Sequence, residues 1–192
     1  MNYNAIENSA NENQKKWNDN KSYRDNLVNW IFDLKSKTSE KEFINAMDEC
    51  YNQLRNMDNA DFSAIGNDLD KIKFRVSEEI DKYNKRVEEN NKKAQIQKLY
   101  NNGIENLHNK EYNTAILNFT QYLEQKPDGI GAYYYRGMIY QITHDYSKSV
   151  NDLSKYIEAV NNDANAFGLR GWSKYYLKDY QGALSDLINM LQ

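Results

Sequence analysis

Three similar stretches in the second half of the chain decide the fold. Residues 111–127 read EYNTAILNFTQYLEQKP, residues 145–157 read DYSKSVNDLSKYI, and residues 179–191 read DYQGALSDLINML. Their starts at 111, 145 and 179 are evenly spaced, and we call this constant interval the repeat period. Aromatic, small and apolar residues keep the same register in all three stretches. A fixed period of this length indicates that one supersecondary unit recurs along the chain and stacks on its neighbours.

Glycine follows the same period at Gly103, Gly137 and Gly171. Each of these residues lies inside an apolar helical pattern, where glycine costs about 1 kcal/mol relative to alanine. Close packing of a second helix offsets that cost, because a residue without Cβ lets two backbones approach. We therefore expect each unit to be a helical hairpin, with the small residue twelve positions later (Ala115, Ser149, Ala183) on the other side of the contact and polar loops at 108–111, 143–145 and 178–179.

This pattern resembles the tetratricopeptide repeat over about residues 96–192, in units of about 96–129, 130–163 and 164–192. The resemblance is carried by Leu99, Gly103, Ala115, Phe119 and Pro127, by Tyr133, Gly137, Tyr140, Ser149 and Leu153, and by Phe167, Gly171, Ala183 and Leu187. It implies a superhelix with first helices over 96–108, 130–142 and 164–177 and second helices over 112–125, 146–160 and 180–191. One departure is that Asn102, Arg136 and Arg170 occupy the position where the family has leucine.

The resemblance also implies that the first helices line a concave face, and this face is the candidate binding site. Many of the side chains expected there are aromatic or aliphatic, and a large exposed apolar surface marks a site of interaction. The candidate residues are Gln97, Tyr100, Ile104, Leu107, Tyr134, Met138, Gln141, Asn165, Trp172 and Tyr175.

Two other interpretations of these aromatic residues remain open. Some of the rings could be buried between repeats, and the N-terminal helices of the same chain could occupy the groove. A relative of this fold holds acidic chaperone C-termini with a basic clamp, but the corresponding positions here are Tyr100, Ile104, Tyr135, Asn165 and Leu169. We therefore expect no capture of such C-terminal carboxylates.

The N-terminal region, residues 1–95, predicts three helices, with residues 1–12 expected to be disordered. Three apolar stripes at spacings of three and four support them. Ser39 and Glu42 form a predicted capping box for the second helix, and Asp61 is a predicted cap for the third. The stripes comprise Trp17, Tyr23, Leu27, Trp30, Ile31 and Leu34, then Phe43, Ala46, Met47, Cys50, Tyr51, Leu54 and Met57, then Ile65, Leu69, Ile72, Val76, Ile80, Tyr83 and Val87.

Composition excludes several classes of function. A net charge of -3 argues against nucleic-acid binding, which depends on a basic surface. One cysteine, Cys50, and two histidines, His108 and His144, leave no Cys/His metal site, so we expect no metal and no cofactor. Cys50 lies on a predicted apolar stripe and the histidines lie in loops, so we expect no enzyme activity. No segment is apolar enough to insert into a membrane, and we expect a cytoplasmic location.

The sequence thus predicts an all-α protein in which a three-helix region, continued by one helix near 85–100, precedes an α-solenoid of three hairpins. The expected function is a non-catalytic module that binds a segment of a partner protein. One alternative is a structural protein that self-associates through its N-terminal helices or its C-terminal edge. Another is the regulatory part of a longer enzyme or sensor. At that edge we expect Leu184, Leu187, Ile188 and Leu191 to be uncovered.

Overall fold

A computed structural model describes residues 3–57 and 66–191, and all the regular secondary structure within these ranges is α-helical. The predicted all-α class is confirmed, and the hairpins pack in a solenoid-like arrangement. The helices are α1 (Tyr3–Ser36), α2 (Lys41–Arg55), α3 (Gly66–His108), α4 (Tyr112–Gln125), α5 (Ile130–Ile142), α6 (Tyr146–Ala159), α7 (Ala164–Tyr176) and α8 (Tyr180–Met190).

The chain divides into two compact units, Met1–Glu89 and Asn90–Gln192. The sequence placed the division a few residues later, between residues 95 and 96. Helix α3 is continuous from Gly66 to His108 and contributes residues to both units, so it includes the helical connection expected over 85–100.

The core of the first unit is built from the three apolar stripes that the sequence predicts. Each stripe repeats every three or four residues, so each helix turns one apolar face toward the other two. The side chains that are fully or almost fully buried there are Leu27, Ile31, Phe43, Met47, Cys50, Leu54, Leu69, Ile72 and Val76.

Helix α1 begins earlier than the sequence analysis expected. It starts at Tyr3 and so includes residues 3–12, for which we expected disorder. Extending a helix that already exists adds one hydrogen bond for each residue fixed, and this favours propagation from the packed part of α1 toward the N-terminus.

The capping box predicted at Ser39 and Glu42 is wrong. Helix α2 has Glu40 at its N-cap position, and no side chain caps its first turn. Both acidic side chains pair with Arg86 of α3 instead, Glu40 at 2.6 Å and Glu42 at 3.2 Å. Helix α2 begins at Lys41, one residue later than the box requires, so Ser39 lies before the N-cap position and cannot cap the first turn. The cap predicted at Asp61 lies outside the described residues.

The helices of the second unit begin at the residues implied by the repeat. Helices α4 to α8 start at 112, 130, 146, 164 and 180, and each ends within one residue of its expected position. The C-terminal part of α3 packs on α4, and α5 with α6 and α7 with α8 form the second and third hairpins. Helix α5 also contacts α4, and α6 contacts α7, so successive hairpins stack.

The periodic glycines lie where two helices approach each other. A Cβ added at Gly137 would lie 2.9 Å from Cγ of Leu153, and one at Gly103 would lie 2.7 Å from the Phe119 ring. The closest neighbour at these two positions is therefore the residue sixteen positions later. The small residue twelve positions later is among the three nearest neighbours at Gly171, through the carbonyl oxygen of Ala183 at 3.4 Å.

Each first helix ends in a left-handed residue that is not glycine. The backbone φ angles are 61° at Lys110, 65° at His144 and 68° at Lys178, three positions that keep the repeat period. In each case the next N–H bonds back to the carbonyl five residues earlier, which is the Schellman arrangement that satisfies a helix C-terminus. These bonds join Glu111 to Asn106 at 2.8 Å, Asp145 to Tyr140 at 2.8 Å and Asp179 to Lys174 at 2.9 Å.

The arginines that directly precede Gly137 and Gly171 connect neighbouring hairpins. Arg136 donates from Nε to Oδ2 of Asp152 at 2.6 Å and from Nη2 to Oδ1 at 3.0 Å, within its own hairpin. Its Nη1 donates to Oγ1 of Thr120, in the preceding hairpin, at 2.9 Å. Arg170, Asp186 and Ser154 repeat the arrangement at the equivalent positions of the next unit.

Candidate functional site

The residues predicted to line the concave face fall into four groups. Gln97 and Asn165 are exposed polar side chains. Tyr100 and Tyr134 are half-buried and pack on their own hairpins. Trp172 and Tyr175 are 52% and 50% exposed. The remaining predicted residues, Ile104, Leu107, Met138 and Gln141, are half-buried.

Tyr100 and Tyr134 are half-buried, and each packs against the second helix of its own hairpin. The ring of Tyr100 lies 5.1 Å from that of Tyr122, and at the equivalent place in the next unit the ring of Tyr134 lies 4.9 Å from that of Tyr156. Burial raises the pKa of both Tyr100 and Tyr134 above the usual value for tyrosine. In the first two units of the repeat, the first helix turns this position toward the second helix of its hairpin, and the ring fills the space between them.

The exposed rings of α7 belong to a continuous aromatic surface. Trp172 and Tyr175 are 6.1 Å apart between ring centroids, and Tyr175 is 5.7 Å from both Tyr176 and Tyr180. Tyr176 stacks on Tyr146, with centroids 4.6 Å apart and planes within 10°. We call these five residues, Tyr146, Trp172, Tyr175, Tyr176 and Tyr180, the aromatic surface.

A groove of about 350 Å³ lies at one end of this surface, between the C-terminal ends of α5 and α7. Two of its rings, Trp172 and Tyr176, are four residues apart on α7 and therefore lie on the same helical face. The other lining residues come from the end of α5, the loop after it and the start of α6. The lining residues are Gln141, Ile142, His144, Tyr146, Trp172 and Tyr176, and we call this site the α5–α7 groove.

Backbone geometry at the α5–α6 turn fixes one wall of the groove. His144 takes the left-handed conformation, and Asp145 then caps α6 by accepting a hydrogen bond from the N–H of Lys148 at 3.4 Å. Tyr146 is consequently the first residue of α6, and its hydroxyl lies 2.8 Å from Nδ1 of His144. This contact and the stacking on Tyr176 fix the orientation of the Tyr146 ring.

The lining of the α5–α7 groove carries polar groups but no acid, lysine or arginine. Its polar groups are the Gln141 amide, the His144 ring, the Trp172 indole N–H and two tyrosine hydroxyls. Nε2 of Gln141 donates to the carbonyl oxygen of Leu169 at 3.4 Å, and an amide nitrogen carries a second hydrogen for another acceptor. Such a site suits apolar contact and hydrogen bonding to a neutral ligand.

Sequence reasoning found Gln141, Trp172 and Tyr175 but missed the rest of this region. Tyr146 and Tyr180 are the second residues of the quoted stretches 145–157 and 179–191, and their position at the first residue of a second helix was the signal that could have placed them near the loop end of α7. The other missed residues are Ile142, His144 and Tyr176.

Two further sequence predictions concern Cys50 and the outer face of α8. Cys50 is fully buried in the first unit, and burial raises the pKa of its thiol. Leu184 and Ile188 on α8, and Leu191 directly after it, are exposed, as expected for the C-terminal edge. Leu187 is only half-exposed, because its side chain packs toward Gly171.

No protein-family model matches the chain, and no curated protein matches it either. Among the described residues, none of the helices combines the length and the apolar character required to cross a membrane.

Proposed function

We propose that residues 96–192 form three tetratricopeptide-like units that bind a segment of a partner protein on the aromatic surface. Support for the repeat comes from glycine contacts, left-handed turns and arginine pairs that all recur with the repeat period. The observation that carries the binding function is the exposure of Trp172, Tyr175, Tyr176 and Tyr180, each at 50% to 58%.

Aromatic rings on a helix are efficient binding groups. Each ring has two rotatable bonds, so ordering it on binding costs little entropy, and each offers a large apolar area. Burial of that area contributes about 25 cal/mol per Å². Edge contacts join the rings of Trp172, Tyr175 and Tyr176, so these side chains are already partly ordered in the unbound protein.

The proposed site is smaller than the concave face considered from the sequence. It is centred on α7 and on the end of α5, since Tyr100 and Tyr134 are occupied by contacts within their own hairpins. Binding therefore depends on Trp172 and Tyr175 more than on residues of the first unit of the repeat.

Selection from a random peptide display library tests this proposal. We expect the full chain to enrich peptides whose binding falls when Trp172 is replaced, with Trp172→Ala weakening binding by about 1–3 kcal/mol. The matched control is Leu117→Ala on α4, which removes a side chain of similar exposure, 55%, outside the aromatic surface. Equal binding by the Trp172→Ala and wild-type chains would show that the binding site lies elsewhere.

A second candidate function is self-association through the outer face of α8. Leu191 is 81% exposed, and Leu184 and Ile188 are about half exposed. The residues equivalent to Leu191 in the preceding repeats, Leu123 and Ile157, are buried at 6% and 7%. Light scattering at increasing concentration tests this function: a monomer throughout, for the wild type and for Leu184→Gln alike, would exclude it.

A further inference from the structure

We infer that the α5–α7 groove binds a neutral, proline-rich segment in the polyproline II conformation. The inference rests on the proposed function and specifies the chemistry of the partner. Three properties of the groove support this ligand: its charge, its ring arrangement and its hydrogen-bonding groups.

Charge disfavours an ionic ligand. None of the six lining residues is an acid, a lysine or an arginine. Two of the lysines close to them in sequence are already paired, Lys148 with Asp145 at 2.6 Å and Lys174 with Asp186 at 2.8 Å. A charged ligand side chain entering the groove would lose hydration without gaining a counter-ion, so a neutral segment is complementary to this lining.

The rings of the groove suit proline side chains. Trp172 and Tyr176 lie one turn apart on α7, Ile142 is exposed beside them, and the stacked Tyr146 forms the adjoining wall. Aromatic-lined grooves of this kind accept polyproline II segments, whose prolines pack flat against rings and whose backbone is already ordered before binding. The fixed rings and the stiff ligand together keep the entropy cost of association low.

Hydrogen bonding separates this ligand from an added β-strand. A polyproline II chain has no internal hydrogen bonds, and proline has no N–H, so the ligand presents mainly carbonyl acceptors. The groove offers donors to match them, namely the Trp172 indole N–H, the Gln141 amide and the Tyr176 hydroxyl. A β-strand would instead need a sheet edge to pair with, and the groove is built from helices and their turns.

Titration of the full chain with decaproline tests the inference. We expect saturable shifts of the backbone amide resonances of residues 141–146 and 172–176. Trp172→Ala should weaken binding at least tenfold, whereas Trp172→Phe, which keeps a ring, should weaken it less than threefold. Leu117→Ala should leave binding unchanged, and circular dichroism checks that each variant remains helical. Decaglutamate, decalysine and (Gly-Ser)5 should not saturate.

The possible results separate this inference from the proposed function. If peptides from the display selection bind through Trp172 but decaproline does not, the inference of a proline-rich ligand is wrong, and the proposal of a binding module is retained. If decalysine binds in a Trp172-dependent manner, the groove selects cations and the inference is overturned. If neither decaproline nor any selected peptide binds, both proposals fail.

Discussion

Arg170 and Asp186, sixteen residues apart, are joined by two hydrogen bonds: Nε to Oδ2 at 2.8 Å and Nη2 to Oδ1 at 2.6 Å. Lys174 adds a third contact to the same carboxylate at 2.8 Å. Asp186 is 2% exposed, as Asp152 is 1% exposed in its pair with Arg136. The second unit therefore buries two carboxylates, and each depends on a guanidinium from the first helix of its hairpin.

Removing one partner of the Arg136–Asp152 pair should destabilise the second unit more than removing both. Asp152→Ala leaves a mostly buried guanidinium without its carboxylate, and we expect a loss of about 3–5 kcal/mol in the free energy of unfolding. The double variant Arg136→Met with Asp152→Leu removes both charges and should lose less than Asp152→Ala. Urea denaturation followed by Trp172 fluorescence, in a background of Trp17→Phe and Trp30→Phe, measures both values for the second unit.

A double variant that is less stable than Asp152→Ala would contradict this prediction. It would mean that the pair contributes net stability beyond what apolar packing can supply. Circular dichroism of the double variant, compared with that of Asp152→Ala, shows whether the helices persist.

Asp186 should make the second unit sensitive to acid. Burial by itself would raise the pKa of this carboxyl, but hydrogen bonds from Arg170 and Lys174 outweigh it and hold the pKa below the ordinary value of 3.8. A group with a lowered folded-state pKa contributes stability above the unfolded-state value and loses it as the pH falls through the folded-state value. We therefore expect the free energy of unfolding to decrease from about pH 5 downward.

The free energy of unfolding of Asp186→Asn, measured across this pH range, tests the assignment. The variant should be less stable at neutral pH and should show a shallower decrease in acid, because it lacks the titrating group. Asp128→Asn removes an exposed carboxylate in a turn and serves as the control. An equally steep decrease in wild type and Asp186→Asn would assign the acid sensitivity to other residues.

Lys110→Gly should stabilise the hairpin of α3 and α4. Lys110 has a φ of 61°, in the left-handed region where a Cβ costs about 1–2 kcal/mol. Glycine removes that strain, but it also makes the unfolded chain more flexible, which offsets part of the gain. We expect a net increase of about 0.5–1 kcal/mol in the free energy of unfolding, measured in urea.

The matched control is Lys110→Ala, which removes the long side chain and keeps the Cβ. It should give no comparable increase. If Lys110→Ala and Lys110→Gly stabilise the chain equally, the effect belongs to the charge of Lys110 and not to its backbone conformation.

The helices of the second unit could be predicted because their signals are local and repeat. A residue such as Gly137 or Tyr146 marks the same place in every unit, so an uncertain boundary in one repeat is fixed by the other two. In the first unit no repeat was found in the sequence, and the start of α2 was placed by a capping pattern alone. That pattern failed because α2 begins one residue later than the box requires, with Glu40 at the N-cap position, and the pairing of Glu40 and Glu42 with Arg86 could not be predicted from a local pattern.

The groove was harder to predict because it depends on how side chains divide between two helices. Periodicity puts Tyr134 and Trp172 on first helices, but it does not show that Tyr156 covers the first ring while the second stays exposed. The partners of Arg136 were hidden for the same reason. In the sequence, Arg136 is only a polar residue within an apolar pattern. The three-dimensional structure shows that it donates hydrogen bonds to Asp152 and Thr120.

The hydroxyls of Thr120 and Ser154 each accept from an arginine of the following hairpin, and the equivalent residue of the last repeat is Ile188. If another hairpin of the same design packed onto α8, its arginine would meet a hydrocarbon and keep one nitrogen without an acceptor. That loss costs about 1–3 kcal/mol. The outer side of α8 therefore discriminates against a further identical repeat and favours a neighbour that presents only apolar side chains there.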